Sequence, residues 1–192
     1  MKRMLIGGID EAGRGPLAGP VSVALVIAPK GFRFWTKELG KIKDSKQLSP
    51  KKRELWYQFI VNHPRLVWHQ TYVSAKVIDR VNIQEATYRG AARLILKCAQ
   101  RPHFVFLDGA LVMRADLPHK IVIGGDAKIP VVAAASIIAK IRRDRYMVRM
   151  AKKFPGWDFD RHKGYGTRAH IEMLKGNAPL PIHRDSFISH FV

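Results

Sequence analysis

Residues 9–20, which read IDEAGRGPLAGP, constrain the fold of this chain more than any other stretch. An apolar run ends there in two adjacent carboxylates, Asp10 and Glu11, and opens into a loop with three glycines. The pattern predicts a strand followed by a turn whose glycines let backbone approach a ligand closely. Because neighbouring strand residues point to opposite faces, both carboxylates reach one ligand only if the strand ends or bends there. A solvated strand end is the alternative.

Apolar runs and helix-capping residues predict an α/β chain. Further strands are expected over residues 21–28, 66–73, 103–107 and 119–123, and the first of these pairs with the preceding strand as a hairpin. Helices are expected over residues 50–62, 83–99, 131–153 and 168–175, with caps at Ser49, Asn82 and Thr167. Three aromatic residues after the second strand are expected to pack locally rather than touch a ligand: Phe32, Phe34 and Trp35.

Two further acidic residues follow predicted strands. Asp108 comes directly after residues 103–107, and Asp126 lies shortly after residues 119–123. Sites in α/β sheets gather at the carboxyl ends of strands, which makes Asp108 a candidate site residue. A structural turn aspartate followed by glycine is the alternative.

The charge of the chain indicates a polyanionic partner. Lysine and arginine number 34 against 15 acidic residues, a formal net charge of +19 that disfavours a lone compact domain through self-repulsion. The basic residues recur along the whole length, so the charge belongs to the folded body. No apolar run reaches the roughly 18 residues of a membrane span, and the one cysteine, Cys98, cannot form an internal disulfide. We therefore expect a cytoplasmic protein that binds nucleic acid and not a membrane.

Five motifs in order resemble the ribonuclease HII family, the type 2 ribonucleases H. Besides residues 9–20 they are Asp-Ser-Lys at 44–46, AAASIIAK at 133–140 followed by Arg-Asp-Arg, His-Lys-Gly-Tyr-Gly-Thr at 162–167, and Pro-Ile-His-Arg at 181–184. The first motif and the AAASIIAK helix are the most specific, and the resemblance covers nearly the whole chain.

The resemblance implies a ribonuclease H-like fold, a five-stranded mixed β-sheet flanked by helices with a small C-terminal helical subdomain. Residues 1–153 would form the catalytic domain, and residues 154–192 a helical element that packs on it and contributes to substrate binding. The implied activity is two-metal hydrolysis, with Mg²⁺ or Mn²⁺, of the phosphodiester 5′ to a ribonucleotide. The substrates would be RNA/DNA hybrids and single ribonucleotides in duplex DNA, and the products would carry 3′-hydroxyl and 5′-phosphate ends.

The resemblance also assigns residues. The implied metal ligands and catalytic residues are Asp10, Glu11, Asp108 and Asp126. The implied substrate-binding residues are Gly13, Arg14, Gly15, Ser45, Lys46, Lys163 and Tyr165. The glycines and Tyr165 would recognise the ribose 2′-hydroxyl, and Arg14, Ser45 and Lys46 the phosphate backbone. Metal ions would explain why a protein this basic gathers acids where it binds a polyanion.

Some features leave alternatives open. The family usually has lysine or a similar residue two places before the fourth acid, where this chain has Gly124. Asp144 competes with Asp126 as fourth ligand, but a local ion pair within Arg143-Asp144-Arg145 is the simpler interpretation.

Two rival functions also stay open. One is a non-catalytic basic nucleic-acid-binding protein, and the other a transposase or Holliday-junction nuclease of the same fold, which would cut DNA without ribonucleotides. We expect no clamp-binding peptide at the C-terminal end, and we expect a monomer.

Overall fold

The computed structural model describes residues 4–109, 111 and 116–192. Within them, the strands are β1 (Leu5–Ala12), β2 (Val21–Pro29), β3 (Trp35–Thr36), β4 (Gly40–Lys41), β5 (Val67–Val73), β6 (Phe104–Asp108) and β7 (His119–Val122). The helices are α1 (Pro50–Asn62), α2 (Ala75–Val81), α3 (Ile83–Lys97), α4 (Gly125–Lys128), α5 (Pro130–Lys153), α6 (Phe159–His162), α7 (Arg168–Gly176) and α8 (Asp185–Ile188), and a 3-10 turn covers Ser45–Gln47. None of the helices in these ranges is long and apolar enough to cross a membrane.

Five strands form the predicted mixed sheet, in the order β5-β2-β1-β6-β7. β1 runs antiparallel to β2 and parallel to β6, and β7 runs parallel to β6. The carboxyl ends of β1, β6 and β7 therefore lie along one edge of the sheet. The candidate acidic residues follow or close these three strands.

β1 is longer than its sequence pattern predicts. It continues through both carboxylates to Ala12, which is still paired with β2, so the expectation that the strand ends at the acidic pair is wrong. Pairing with β2, whose first eight residues are buried, outweighs the low strand propensity of acidic residues. As strand geometry requires, the two side chains leave in different directions: Asp10 towards Ser136 of α5, and Glu11 towards Arg14.

Helices cover both faces of the sheet and bury its apolar residues. α1 and α5 contribute to the core on one face, where Trp56 and Ile60 meet the small residues of α5. α3 packs on the other face through Ala91, Leu94 and Ile95. The predicted helices are present, and the side chains of Ser49, Asn82 and Thr167 accept hydrogen bonds from backbone N–H groups in the first turns that they cap.

The aromatic connection after β2 behaves as predicted at two of its three residues. Phe34 is buried and Phe32 packs edge-on against it, with ring centroids 4.8 Å apart. Trp35 is 59% exposed, so the prediction that it packs locally is wrong. The reason is the hairpin of β3 and β4, in which Trp35 pairs with Lys41.

The C-terminal residues close over the loop that follows β1. Leu17 and Ala18 of this loop share an apolar cluster with Met147 of α5 and with C-terminal residues that include Trp157, Phe159, Leu174 and Ile188. The backbone N–H of Leu17 donates to the carbonyl of Gly164 (2.8 Å), and the N–H of Arg184 donates to the carbonyl of Leu17 (2.8 Å). The division of the chain at residue 153 stays a prediction.

Three histidines, which the sequence pattern left without a role, gather in this C-terminal part. The rings of His162 and His170 stack with centroids 4.4 Å apart, and the Nε2 atoms of His170 and His183 lie 3.1 Å apart. Burial, together with repulsion by His170, lowers the pKa of His183 to about 4. Burial also lowers the pKa of His170 and of His162.

Acid should therefore weaken this region. The folded state favours neutral His183, so its stabilising contribution is present above pH 6.5, the ordinary histidine pKa, and is lost as the pH falls from there towards 4. We compare the free energies of unfolding of the protein and its His183→Gln variant. The advantage of the unmodified protein should be about 2 kcal/mol smaller at pH 5 than at pH 7.5. Urea unfolding of both at the two pH values measures it, and an unchanged difference would contradict the assignment.

Candidate active site

Three carboxylates meet at the carboxyl edge of the sheet. Ile9 of β1 is paired with Leu107 of β6, so the next residues of the two parallel strands, Asp10 and Asp108, emerge side by side. Together with Glu11 they line a cavity of about 360 Å³. The structure thus brings together acids that are almost a hundred positions apart in sequence.

The environment of these acids opposes their ionisation. Burial raises the pKa of Asp10 well above its ordinary value, and repulsion by Glu11 and Asp108 raises it further. Burial raises the pKa of Glu11 to about 7, although the guanidinium of Arg14, 3.6 Å away, acts in the opposite direction. When these carboxylates ionise, the protein's own cations therefore compensate their charge only in part.

Asp126 lies at the same edge but outside the lining of the cavity. It is buried in α4, and its Oδ2 lies 3.6 Å from Nζ of Lys46, which does line the cavity. Burial lowers the pKa of Lys46, but attraction by Asp126, Asp44, Asp10 and Asp108 outweighs this and raises it overall. Lys46 therefore connects the fourth acid electrostatically with the other three.

The acids are held by backbone groups. Oδ1 of Asp108 accepts from the N–H of Gly125 (2.7 Å), Oδ1 of Asp126 from Ala127 (2.9 Å) and Oδ1 of Asp10 from Glu11 (2.7 Å). No three Asp, Glu, His or Cys side chains in residues 4–109, 111 and 116–192 already converge as a metal-ligand set.

The donor chemistry nevertheless fits a hard cation. Oε2 of Glu11 is buried and has no hydrogen-bond partner. An orphaned buried carboxylate oxygen is costly, and oxygen-only ligands are what Mg²⁺ and Mn²⁺ prefer. The residues present therefore suit a divalent ion, provided that the side chains turn towards it.

The loop after β1, residues 13–20, is called the glycine loop. It borders the cavity through Gly13 and Gly15, which differ in the space around them. Gly13 has φ +94°, and an added Cβ would lie 1.9 Å from Nε of Arg143, so packing alone requires glycine there. At Gly15 an added Cβ would meet nothing within 4 Å, and the loop is open to the cavity.

Two buried arginines hold this loop, and neither was predicted from the sequence to do so. Arg143 donates to the carbonyls of Ala18 (3.1 Å), Pro20 (3.0 Å) and Lys163 (3.0 Å). Arg143 lies in the basic second half of α5, yet it is 1% exposed and does not face solvent. Helical spacing was the available signal, because Arg143 continues the buried stripe of Val132, Ser136, Ala139 and Met147 on α5.

Arg184 supports the loop from the C-terminal part. Its guanidinium donates to the carbonyls of Gly13 (2.6 Å), Arg14 (2.7 Å) and Gly19 (2.9 and 3.0 Å). Burial, together with repulsion by Arg143, lowers its pKa to about 9. The loop is thus fixed by charge-assisted hydrogen bonds to its carbonyl groups.

The other predicted substrate residues divide into two groups. Tyr165 lines the cavity and is 44% exposed, and Ser45 also lines it, although its hydroxyl is hydrogen-bonded to that of Ser136 (2.7 Å). Lys163 is not part of the cavity lining, and its Nζ donates to the carbonyl of Asp160.

The two ambiguous positions now have structural explanations. Asp144 forms its ion pair with Lys140, one helical turn earlier (2.9 Å). The predicted ion pair with the flanking arginines is therefore wrong. Gly124 has φ +65° at the start of α4, a left-handed conformation that favours glycine over lysine.

Sequence comparison places this chain among ribonucleases. A family model described as Ribonuclease HII matches residues 7–190. The Ribonuclease HII of Endomicrobium trichonymphae is 44% identical over 183 residues, which cover 95% of this chain and 84% of that protein. The Ribonuclease HII of Caldicellulosiruptor bescii is 40% identical over 187 residues, 97% of this chain and 88% of that protein.

Solved structures agree in fold. The ribonuclease H2 of Pyrococcus horikoshii OT3 superposes with a TM-score of 0.81 at 26% identity, covering 98% of this chain and 99% of that one. The ribonuclease HII of Archaeoglobus fulgidus, solved in a complex with PCNA, gives a TM-score of 0.76 at 28% identity and covers 94% of both chains.

Proposed function

The chain belongs to the ribonuclease HII family, and from this we propose that it cleaves the phosphodiester 5′ to a ribonucleotide, leaving 3′-hydroxyl and 5′-phosphate ends. The substrates are RNA/DNA hybrids and duplex DNA with a single embedded ribonucleotide. The observation that carries the proposal is the cluster of buried, mutually repelling carboxylates beside the glycine loop.

We assign the role of metal ligand to Asp10, Glu11, Asp108 and Asp126. When bound there, two Mg²⁺ or Mn²⁺ ions would lower the pKa of an attacking water and stabilise the leaving 3′ oxygen. The partnerless Oε2 of Glu11 and the repulsion that raises the pKa of Asp10 support this assignment. Lys46, whose side chain is 80% exposed, offers a cation to substrate phosphate at the same edge.

The glycine loop and Tyr165 supply the selection for ribose. The 2′-hydroxyl distinguishes RNA from DNA at a single nucleotide. Open space at Gly15 lets the backbone approach that hydroxyl. Tyr165 is exposed and lines the same cavity, and its ring would contact the adjoining sugar. Arg14, Ser45 and Lys163 complete the proposed contacts to the sugar-phosphate backbone, with Lys163 acting outside the cavity.

A gel assay on one DNA duplex, with and without a single embedded ribonucleotide, tests the function. We expect Mg²⁺- or Mn²⁺-dependent cleavage 5′ to the ribonucleotide and none of the all-DNA duplex. Cutting of both duplexes would favour the DNA nuclease or transposase. Binding without a metal-dependent product would favour the non-catalytic basic protein.

A further inference from the structure

Tyr165 stands at the end of a series of hydrogen bonds between buried histidines. The backbone N–H of Leu180 lies 2.8 Å from Nδ1 of His183, and Nε2 of His183 lies 3.1 Å from Nε2 of His170. Nδ1 of His170 in turn lies 2.9 Å from the carbonyl oxygen of Tyr165. His183 and His170 are 3% and 1% exposed, so water does not compete for these bonds.

The donors and acceptors in this series have a single consistent direction. A backbone N–H only donates, so Nδ1 of His183 accepts and carries no proton, and the Leu180 carbonyl 3.2 Å from the same nitrogen receives none from it. The proton of neutral His183 is then on Nε2 and is donated to Nε2 of His170. His170 consequently carries its own proton on Nδ1 and donates it to the carbonyl of Tyr165.

Burial of its own side chain does not hold Tyr165 in place. Lys163 and Gly164 before it both have positive φ, 53° and 82°. The Tyr165 ring is 44% exposed, with the guanidinium of Arg143 5.7 Å from its centroid. Hydrogen bonds therefore determine where the residue lies. Its N–H donates to the carbonyl of His162 (2.9 Å), and its carbonyl accepts from the N–H of Thr167 (2.8 Å) and from Nδ1 of His170 (2.9 Å), the side-chain donor.

We propose that His170 and His183 are positioning residues for cleavage, which hold the Tyr165 backbone so that its ring meets the sugar beside the ribonucleotide. The inference rests on the proposed function, and in particular on a role for Tyr165. His183 acts by fixing the tautomer and orientation of His170. Both histidines are buried and neither lines the cavity, so they act through Tyr165 and do not touch substrate.

A double-mutant cycle tests the proposal. His170→Leu removes the side-chain donor to the Tyr165 carbonyl and should lower kcat/KM on a single-ribonucleotide duplex on the order of tenfold, the factor that one hydrogen bond supplies. In a Tyr165→Ala background the same change should cost less than about twofold, because the carbonyl remains but the ring that the bond positions is gone. His170→Asn keeps an N–H near the position of Nδ1 and should restore most of the activity. His190→Leu, on an exposed residue of the same part of the chain, should have no effect.

The outcomes separate this inference from the function on which it rests. An equal loss from His170→Leu in both backgrounds would overturn the positioning role while leaving the cleavage activity intact. If Tyr165→Ala cleaves like the unmodified protein, the proposed contact of Tyr165 fails as well. Thermal melts show whether each variant is folded. If His170→Leu does not fold, the activity of His170→Asn, alone and combined with Tyr165→Ala, tests the positioning role instead. A folded His170→Asn protein without activity would overturn the proposal.

Discussion

Replacing Asp10 by asparagine should reduce cleavage by at least about a thousandfold, since loss of one ligand to a catalytic ion removes several kcal/mol of transition-state stabilisation. The same variant should be more stable than the unmodified protein in metal-free buffer. Burial and repulsion by Glu11 and Asp108 raise the pKa of Asp10 in the folded state, so the ionised carboxylate costs stability as the pH rises above its ordinary value. Asparagine removes this charge, and its side-chain oxygen can still accept from the N–H of Glu11.

The gain in stability distinguishes loss of chemistry from loss of fold. We expect an increase in melting temperature of about 2–6 °C at pH 8 in the presence of a chelator, and a smaller increase at pH 5. Glu38→Gln, on an exposed acid between β3 and β4, is the matched control and should change neither cleavage nor melting. Cleavage by Asp10→Asn at the unmodified rate would refute the assignment of Asp10.

Of the substitutions considered, Arg184→Met should lower the free energy of unfolding the most. It leaves three loop carbonyls, those of Gly13, Arg14 and Gly19, without their donor. At roughly 1 kcal/mol or more for each orphaned group, the expected loss is about 3 kcal/mol. Because these carbonyls belong to the glycine loop, the variant should also bind a ribonucleotide duplex less tightly.

An Arg184→Lys variant should not keep the stability of the unmodified protein, because a single ammonium cannot reproduce the planar guanidinium that reaches three carbonyls. Arg168→Met is the matched control: the Arg168 side chain is 93% exposed and pairs with Glu172 on the surface of α7, so its loss should cost less than about 0.5 kcal/mol. Urea unfolding measures both variants. Equal stability of the Arg184→Met and Arg168→Met proteins would show that the loop is not held by Arg184.

Local patterns in the sequence were enough for most of the fold. The apolar runs, the caps at Ser49, Asn82 and Thr167 and the hairpin of β1 and β2 all follow from neighbouring residues, which is why they could be predicted. The convergence of Asp10, Glu11 and Asp108 also follows from the order of parallel strands, once the resemblance to the family fixes that order.

What could not be predicted depends on tertiary contacts. Arg143 and Arg184 look like ordinary basic surface residues, and their burial results from loop carbonyls that come from positions over a hundred residues away. Trp35 looks like a core residue, yet hairpin geometry exposes it. The direction of the bonds between His183 and His170 likewise needs atomic positions, because no spacing in the sequence encodes a tautomer.

The central claim is that acids from separate strands form one site for divalent ions. Titration of Mn²⁺ followed by electron paramagnetic resonance of the free ion tests it most directly, with the unmodified protein compared with the Asp10→Asn and Asp108→Asn variants. We expect either substitution to weaken Mn²⁺ binding at least about tenfold, a loss of roughly 1.4 kcal/mol. Equal binding by all three proteins would contradict it.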